Sequence, residues 1–286
     1  MLLDRFFTHR GYDYFTVRPL RCKTAIAVGL LLSALPIFAW TYDTQTVLPV
    51  NDVQIRVGAE FTKKWRNGLR LSIEEDLRSS VYNSLRGASF RSSYTTLSLG
   101  YKPIEYLKLD VGYTLRFTNK GVSDPNELLR HRVFFSVTGM YKFQYVKLSL
   151  RERVQMEART DSINPLEKNK INWMLRSKLA AEFLIPGKPV KPYVSCELIN
   201  TLNAPTYQLK YKNNDPTNPG RQFITRVRPQ VGVRWRLTKM SSLDFYYRFS
   251  YGYNRDVNIT KVKQYIELTE RTLFQHAIGV KYNLDW

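Results

Sequence analysis

The stretch that decides the fold is Leu273-Phe-Gln-His-Ala-Ile-Gly-Val-Lys-Tyr-Asn-Leu-Asp-Trp286. Counted back in twos, Trp286, Leu284, Tyr282, Val280 and Ile278 are apolar, while Asp285, Asn283, Lys281, Gly279 and Ala277 are polar or small. This is the two-residue period of a β-strand with one greasy and one wet face. A soluble sheet alternates in the same way. What sharpens the reading is an aromatic at the end of a strand long enough to cross a bilayer at a tilt, which takes roughly 9 to 11 residues.

Composition is consistent with that choice. A hydrophobic share of 43% and a mean hydropathy of -0.36 exclude a helical membrane protein. A membrane barrel passes the same test, because only every second residue meets lipid. Aromatics make up 14% of the chain, with 19 tyrosines, as suits interfacial girdles. The net charge of +20 calls for a partner or a place that explains it.

Residues 1–40 read as an export signal. Arg18, Arg21 and Lys23 precede an uncharged run from Thr24 to Trp40, with a small-residue cleavage position at Ala39. A membrane anchor there would leave the alternating strands without a reason to alternate. Cleavage removes five basic and two acidic residues, so the remainder keeps 39 against 22 and a net +17. The positive charge therefore belongs to the folded domain, 41–286. Cys22 leaves with the signal and Cys196 stays as a lone thiol on an apolar strand face, so neither a disulfide framework nor a metal site is expected. No cofactor is expected either.

Working back from the end, strands of the same period recur, joined alternately by short and long connections. Val53, Ile55, Val57, Ala59 and Phe61 alternate with polar residues. A turn at Asn67 and Gly68 then leads into Leu69, Leu71 and Ile73. Further pairs are expected at 89–101 and 106–117, 131–141 and 145–157, 171–184 and 190–201, and 221–237 and 242–255. Polar stretches at 79–88, 118–130, 158–170, 202–220 and 256–271 separate them. Short turns on one side and long loops on the other define an all-β, transmembrane, antiparallel up-and-down barrel. Eleven strands are visible. With the first and last both descending, an even barrel needs one more at 41–50, so about 12 strands are expected, with ten as the alternative.

Two internal repeats support a meander of like hairpins. Leu71-Ser-Ile-Glu-Glu-Asp-Leu77 matches Leu148-Ser-Leu-Arg-Glu-Arg-Val154, and Gly232-Val-Arg-Trp-Arg-Leu237 matches Gly279-Val-Lys-Tyr-Asn-Leu284. Glu75 and Glu152 share a repeat position that points toward lipid. Either both lie near the interface or a bulge shifts each strand.

By parity the inward face carries sixteen bases against eight acids. The basic cluster comprises Arg226, Arg228, Arg234, Arg236, Arg151, Arg153, Arg176 and Arg248. Its acidic partners are Glu74, Asp76, Glu182, Glu197 and Asp244. In a lumen wider than a filled eight-stranded barrel and narrower than a porin, these charges must pair or stay wet. They form either a stiffening salt-bridge network or a narrow anion-preferring path.

The segments Leu148-Ser-Leu-Arg-Glu-Arg-Val154, Leu175-Arg-Ser-Lys-Leu179, Pro192-Tyr-Val-Ser-Cys-Glu-Leu198 and Leu243-Asp-Phe-Tyr-Tyr-Arg-Phe249, in that order, resemble the exported proteins of domain of unknown function 2490. The resemblance covers roughly 52–286. It implies a barrel in the outer membrane of a diderm bacterium, with no assigned activity and no catalytic residues to carry over. The terminal strand likewise resembles the closing strand of bacterial outer-membrane barrels. That resemblance makes Trp286, Leu284 and Tyr282 an insertion signal read by the barrel-insertion machinery.

Other classes are weaker. An outer-membrane lipid hydrolase would need a Ser, His and acid set, and after cleavage only His131 and His276 are left to serve it. No Gly-x-Ser-x-Gly or His-Glu-x-x-His motif occurs. Nucleic acid is not an expected partner, since the bases follow strand period instead of forming a patch with stacking aromatics. Outer-membrane lipids and glycolipid phosphates suit the loop lysines better. A structural barrel that anchors an exported protein partner is the third class.

Overall fold

A computed structural model describes residues 48–84, 88–119, 129–159, 170–203, 209–210, 216–217, 224–260 and 265–286. The expected signal, residues 1–40, lies outside them. Among the described residues thirteen strands follow one another: β1 (Leu48–Lys64), β2 (Leu69–Asn83), β3 (Ser89–Ile104), β4 (Leu107–Thr118), β5 (Leu129–Lys142), β6 (Val146–Arg159), β7 (Ile171–Phe183), β8 (Val190–Thr201), β9 (Leu209–Lys210), β10 (Pro216–Thr217), β11 (Ile224–Arg236), β12 (Ser241–Thr260) and β13 (Tyr265–Asp285). Eleven of them close into a barrel; β9 and β10 pair only with each other.

The barrel is turned inside out relative to a soluble protein. Ile278 is 65% exposed and Ile55 52%, with Val231 and Phe135 close behind. The largest side chains to vanish completely from solvent are Arg56, Asp52, Ser136 and Ser250. An aliphatic outer belt this continuous has no place in water. It is rimmed at the short-turn end by Trp65, Tyr101, Tyr106, Tyr145 and Trp235, and at the other by Tyr82, Phe90, Phe117 and Trp173. Two aromatic girdles flanking an apolar band are the signature of a transmembrane barrel. Even a strand of 12 residues such as β4 is long enough, because about 3.4 Å per residue at a 45° tilt crosses roughly 29 Å.

Turn chemistry is local. Gly68 (φ 86) and Gly187 (φ 70) occupy the left-handed region that favours glycine. Pro186-Gly187 makes a tight turn closed by Lys188 N donating to Ile185 O at 3.3 Å. Hairpins at the long-loop end reach further than their polar composition suggests. Most of 256–271, expected as loop, belongs to a β12–β13 ladder continuing to Thr260↔Tyr265. The β-branched and aromatic content of Val257, Ile259, Tyr265 and Ile266 explains the extension.

Closure differs from the expectation of twelve strands. β1 and β13 both descend, as read from the sequence, and they pair directly in parallel from Leu48↔Arg271 to Thr62↔Asp285. A parallel seam needs no extra ascending strand, so an odd barrel closes. Residues 48–50, assigned to the twelfth strand, are the first rungs of the β1–β13 ladder; 41–47 lie outside the described residues. The last residue stitches the seam. Lys64 N donates to Trp286 O at 2.8 Å, Trp286 N donates to Thr62 O at 3.0 Å, and Lys64 pairs with Asp285 at 2.6 Å.

The repeat-position glutamates stay on the outer face. β2 and β6 are regular at Glu75↔Thr95 and Glu152↔Ser177, with no bulge at either. Hydroxyls from the next strand meet the carboxylates. Ser93 and Thr95 each donate to Glu75 at 2.6 Å, and Ser177 donates to Glu152 at 2.6 Å. Local hydrogen bonds thus take the place of either rescue weighed from sequence.

Candidate functional site: the arginine-filled lumen

Period-two patterning sends the even-numbered residues of β5 and β7 and the odd-numbered residues of β6 and β8 inward, so arginine and glutamate from adjacent strands meet in rows. The largest hub is Glu197 on β8, only 6% exposed. Arg176 grips both of its oxygens at 2.9 Å, Arg151 donates at 2.9 Å, and Arg228 stands at 3.5 Å from the far side. A carboxylate shared by three guanidiniums is held in bidentate geometry with its lone pairs filled. Glu182 is a smaller hub that takes Arg234 at 2.9 Å and Lys191 at 3.7 Å.

A second three-arginine hub went unread in the sequence. Glu157 on β6 accepts from Arg130 at 2.9 Å and from Arg132 Nε, with Arg116 at 4.0 Å. Its parity was available, since Arg132 and Glu157 fall within the strands expected at 131–141 and 145–157; only Arg130 was assigned to a loop, and β5 in fact begins at Leu129. Arg132 and Arg116 also stack on the Tyr94 ring at 5.1 and 5.4 Å, with Arg78 closer at 3.8 Å. Guanidiniums on an aromatic face gain cation–π attraction without consuming a carboxylate.

The expected acidic partners divide. Glu74 and Glu60 clamp Lys281, each at 2.7 Å, and Asp76 takes Arg78 at 2.5 Å. Asp244 faces Arg234 across the ladder yet makes no ion pair with it, because Arg234 turns to Glu182 instead. Arg153 donates to Ser136 at 3.1 Å and lies over Phe134 at 3.9 Å, again without an acid. Arg248 donates to Gln230 at 2.8 Å. Arg236 is exposed at the short-turn rim. Among the described residues, Arg56, Arg153, Lys178, Arg226 and Arg248 have no carboxylate within ion-pair distance. Acids are shared and bases are left over, so the lumen's surplus is positive in its packed middle as well as in composition.

Three of the inward aromatics are seated on glycines. Phe134 faces Gly112, Tyr193 faces Gly232 and Tyr246 faces Gly279, each as a direct cross-strand pair. A Cβ on Gly232 would fall 2.6 Å from the Tyr193 ring. The missing side chain lets each ring lie flat on the wall. Arg153, Arg248 and Arg234 lie over these rings, at 3.9, 5.2 and 6.0 Å. On the outer face, both described histidines share one geometry: Tyr113 OH is hydrogen-bonded to His131 Nδ1 at 2.5 Å and Tyr247 OH to His276 Nδ1 at 2.7 Å.

With this geometry in view, comparison with known proteins supplies a classification. A model of the family described as "Protein of unknown function (DUF2490)" matches residues 53–261. The chain belongs to this family. The match covers all four segments that carried the sequence resemblance and stops short of the β13 seam. Among solved structures, one described as the NanC porin in a rhombohedral crystal form is similar at 10% identity, over 70% of this chain and 87% of that one, with a TM-score of 0.41. No curated protein matches.

Proposed function

We propose that this family member is a barrel of a diderm bacterium's outer membrane whose lumen is a narrow, anion-preferring path. The observation that carries the reading is the imbalance inside. Glu197 and Glu157 each serve three arginines, and Arg226, Arg248 and Lys178 remain without an acid. Cationic side chains facing a lumen with no carboxylate to neutralise them favour anions and repel cations.

Single-channel recording on the purified barrel in planar bilayers tests it. Wild type is expected to show a reversal potential displaced toward the anion side in a salt gradient. Replacing Arg226, Arg228 and Arg234 by Ala is expected to move it toward zero. Unchanged reversal potentials, or no conductance at all, would end the pore reading.

A stiffened barrel that anchors an exported partner has its own supporting observation, since the Glu197 hub joins β6, β7, β8 and β11 by side chains alone. Pull-down from outer-membrane extracts separates it from a lone channel. The lipid-hydrolase reading gains nothing, because the imidazoles of His131 and His276 meet tyrosine hydroxyls. Trp286, Leu284 and Tyr282 fit recognition by the insertion machinery, and the basic loops fit glycolipid phosphates outside.

A further inference from the structure

The cations at the short-turn end of the barrel are neutralised unevenly. Toward β1 and β4 they have carboxylates. Lys64 pairs with Asp285 at 2.6 Å, Lys281 with Glu60 and Glu74 at 2.7 Å each, and Arg70 and Lys108 with Asp110 at 2.7 and 3.0 Å. Along the arc from β5 to β11 the balance reverses. Lys142 stands directly opposite Lys147, and Lys191 directly opposite Arg234. Like charges face to face across a ladder cost stability. Glu182 bridges the second pair, with one oxygen 3.7 Å from Lys191 and the other 2.9 Å from Arg234. Nothing bridges the first: among the described residues, Lys142 and Lys147 have no carboxylate within ion-pair distance, although Lys147 sits across the ladder from Glu182. Arg236 and the turn lysines Lys188 and Lys239 are exposed and likewise without an ion pair. Asp244, the other acid of this sector, is buried beside the Tyr193 hydroxyl, and Glu105 of the β3–β4 turn makes no ion pair.

The arc is open where the middle of the lumen is packed. Arg234 and Lys191 keep 42% and 39% of their side-chain surface exposed, against 27%, 18% and 14% for the three arginines around Glu197. Strand parity turns Lys142, Lys147, Lys191 and Arg234 into the mouth, while Tyr141, Leu148 and Trp235 take the lipid side. Lipid head groups therefore lie across the wall from these cations. From β5 to β11 the arc crosses four interstrand steps, a width of about 19 Å. A single inorganic ion would meet one or two of the cations. An extended peptide, rising about 3.4 Å per residue, spans them with about six residues.

We propose that this arc is the docking surface for an acidic, extended segment of a soluble protein on the short-turn, periplasmic side of the membrane. The site rests on the partner-anchoring reading of the barrel and gives that partner a charge, a side of the membrane and a place on the rim. A carboxylate of the segment enters between Lys142 and Lys147 as Glu182 does between Lys191 and Arg234, and relieves the like-charge contact.

The test uses the full-length purified barrel in zwitterionic detergent, with folding checked by its heat-shifted gel band. Fluorescein-labelled hexaglutamate is titrated with the barrel and followed by anisotropy, beside labelled hexaglutamine. Hexaglutamate is expected to bind with saturation and to be released by salt, which screens exposed charges; hexaglutamine is expected not to bind. Combining Lys142→Gln, Lys147→Gln and Lys191→Gln should weaken binding about tenfold, as the loss of three exposed ion pairs. Lys147→Arg should retain it, as should Arg66→Gln in the β1–β2 turn beyond the arc. If the triple variant does not fold, Lys142→Gln alone should still give a measurable loss. The docking site is overturned if hexaglutamate does not bind the folded barrel with saturation, or if the glutamine variants bind it as wild type does. Displacement of the peptide by inorganic phosphate or by bicelles containing phosphatidylglycerol, at matched charge, would also overturn it, in favour of a small-ion or lipid contact. Peptide binding with an empty pull-down would leave the arc standing without the anchored partner; a partner that stays bound to the triple variant would keep the anchor and overturn the arc.

Discussion

The wall built from β4 to β8 and the loop-side half of the seam formed by β13 between β1 and β12 link their strands in opposite ways. On the wall, Glu157 and Glu197 each gather three arginines, so the strands are linked through carboxylates. At the turn-side half of the seam Lys281 is held by Glu60 and Glu74 and Lys64 by Asp285, but toward the loops glutamines and Asp52 do the linking and Arg56 meets only glutamine oxygens. The parallel ladder offers a reason. Gly58, Ala277 and Gly279 are small inward residues clustered there, which leaves few positions for an acid. Side chains longer than the site can seat would have to displace Tyr246. The contrast shows that one lumen, uniform in composition, holds two electrostatic regimes.

Three substitutions probe this contrast, beginning with the largest effect. Glu197→Ala strips three buried guanidiniums of their shared partner, and breaking such a pair costs about 3–5 kcal/mol. It should sharply lower the conversion temperature in heat-dependent gel mobility; a shift no larger than that of a surface mutation would show that the hub is solvated. Gly279→Val drives branched atoms into the Tyr246 ring and should cost about 1–3 kcal/mol by overpacking. Adding Tyr246→Ala should recover part of it, and a double variant no better than the single would break the seating argument. The smallest change is expected for Arg56→Gln, with stability within about 1 kcal/mol of wild type. A loss as large as that of Glu197→Ala would erase the distinction between wall and seam.

Much of this was legible in particular residues. The alternation from Ala277 to Trp286 placed Lys281 and Gly279 inside and Ile278 outside, because period two admits only two faces. Arg151, Arg153, Arg176 and Arg228 were placed inside by the same parity. Arg130 was read as loop because a wet inward face next to a charged loop shows no change in composition where the ladder stops; Arg132 and Glu157 lay within expected strands, but that they meet depends on cross-strand register. The Glu75 and Glu152 positions were read correctly as outward, but which hydroxyls would satisfy them depended on cross-strand register, which no single strand carries.

Sequence alone determined the class: strands of period two, aliphatic on one face and ionic on the other, with tight turns where Gly68 and Gly187 permit positive φ. Local stereochemistry and the opposite preferences of lipid and lumen suffice for that. Only the tertiary structure decided that eleven strands close through a parallel β1–β13 seam, and which acid each arginine finds. Both depend on register and on contacts between residues as far apart as Arg56 and Gln275, set when the cylinder closes.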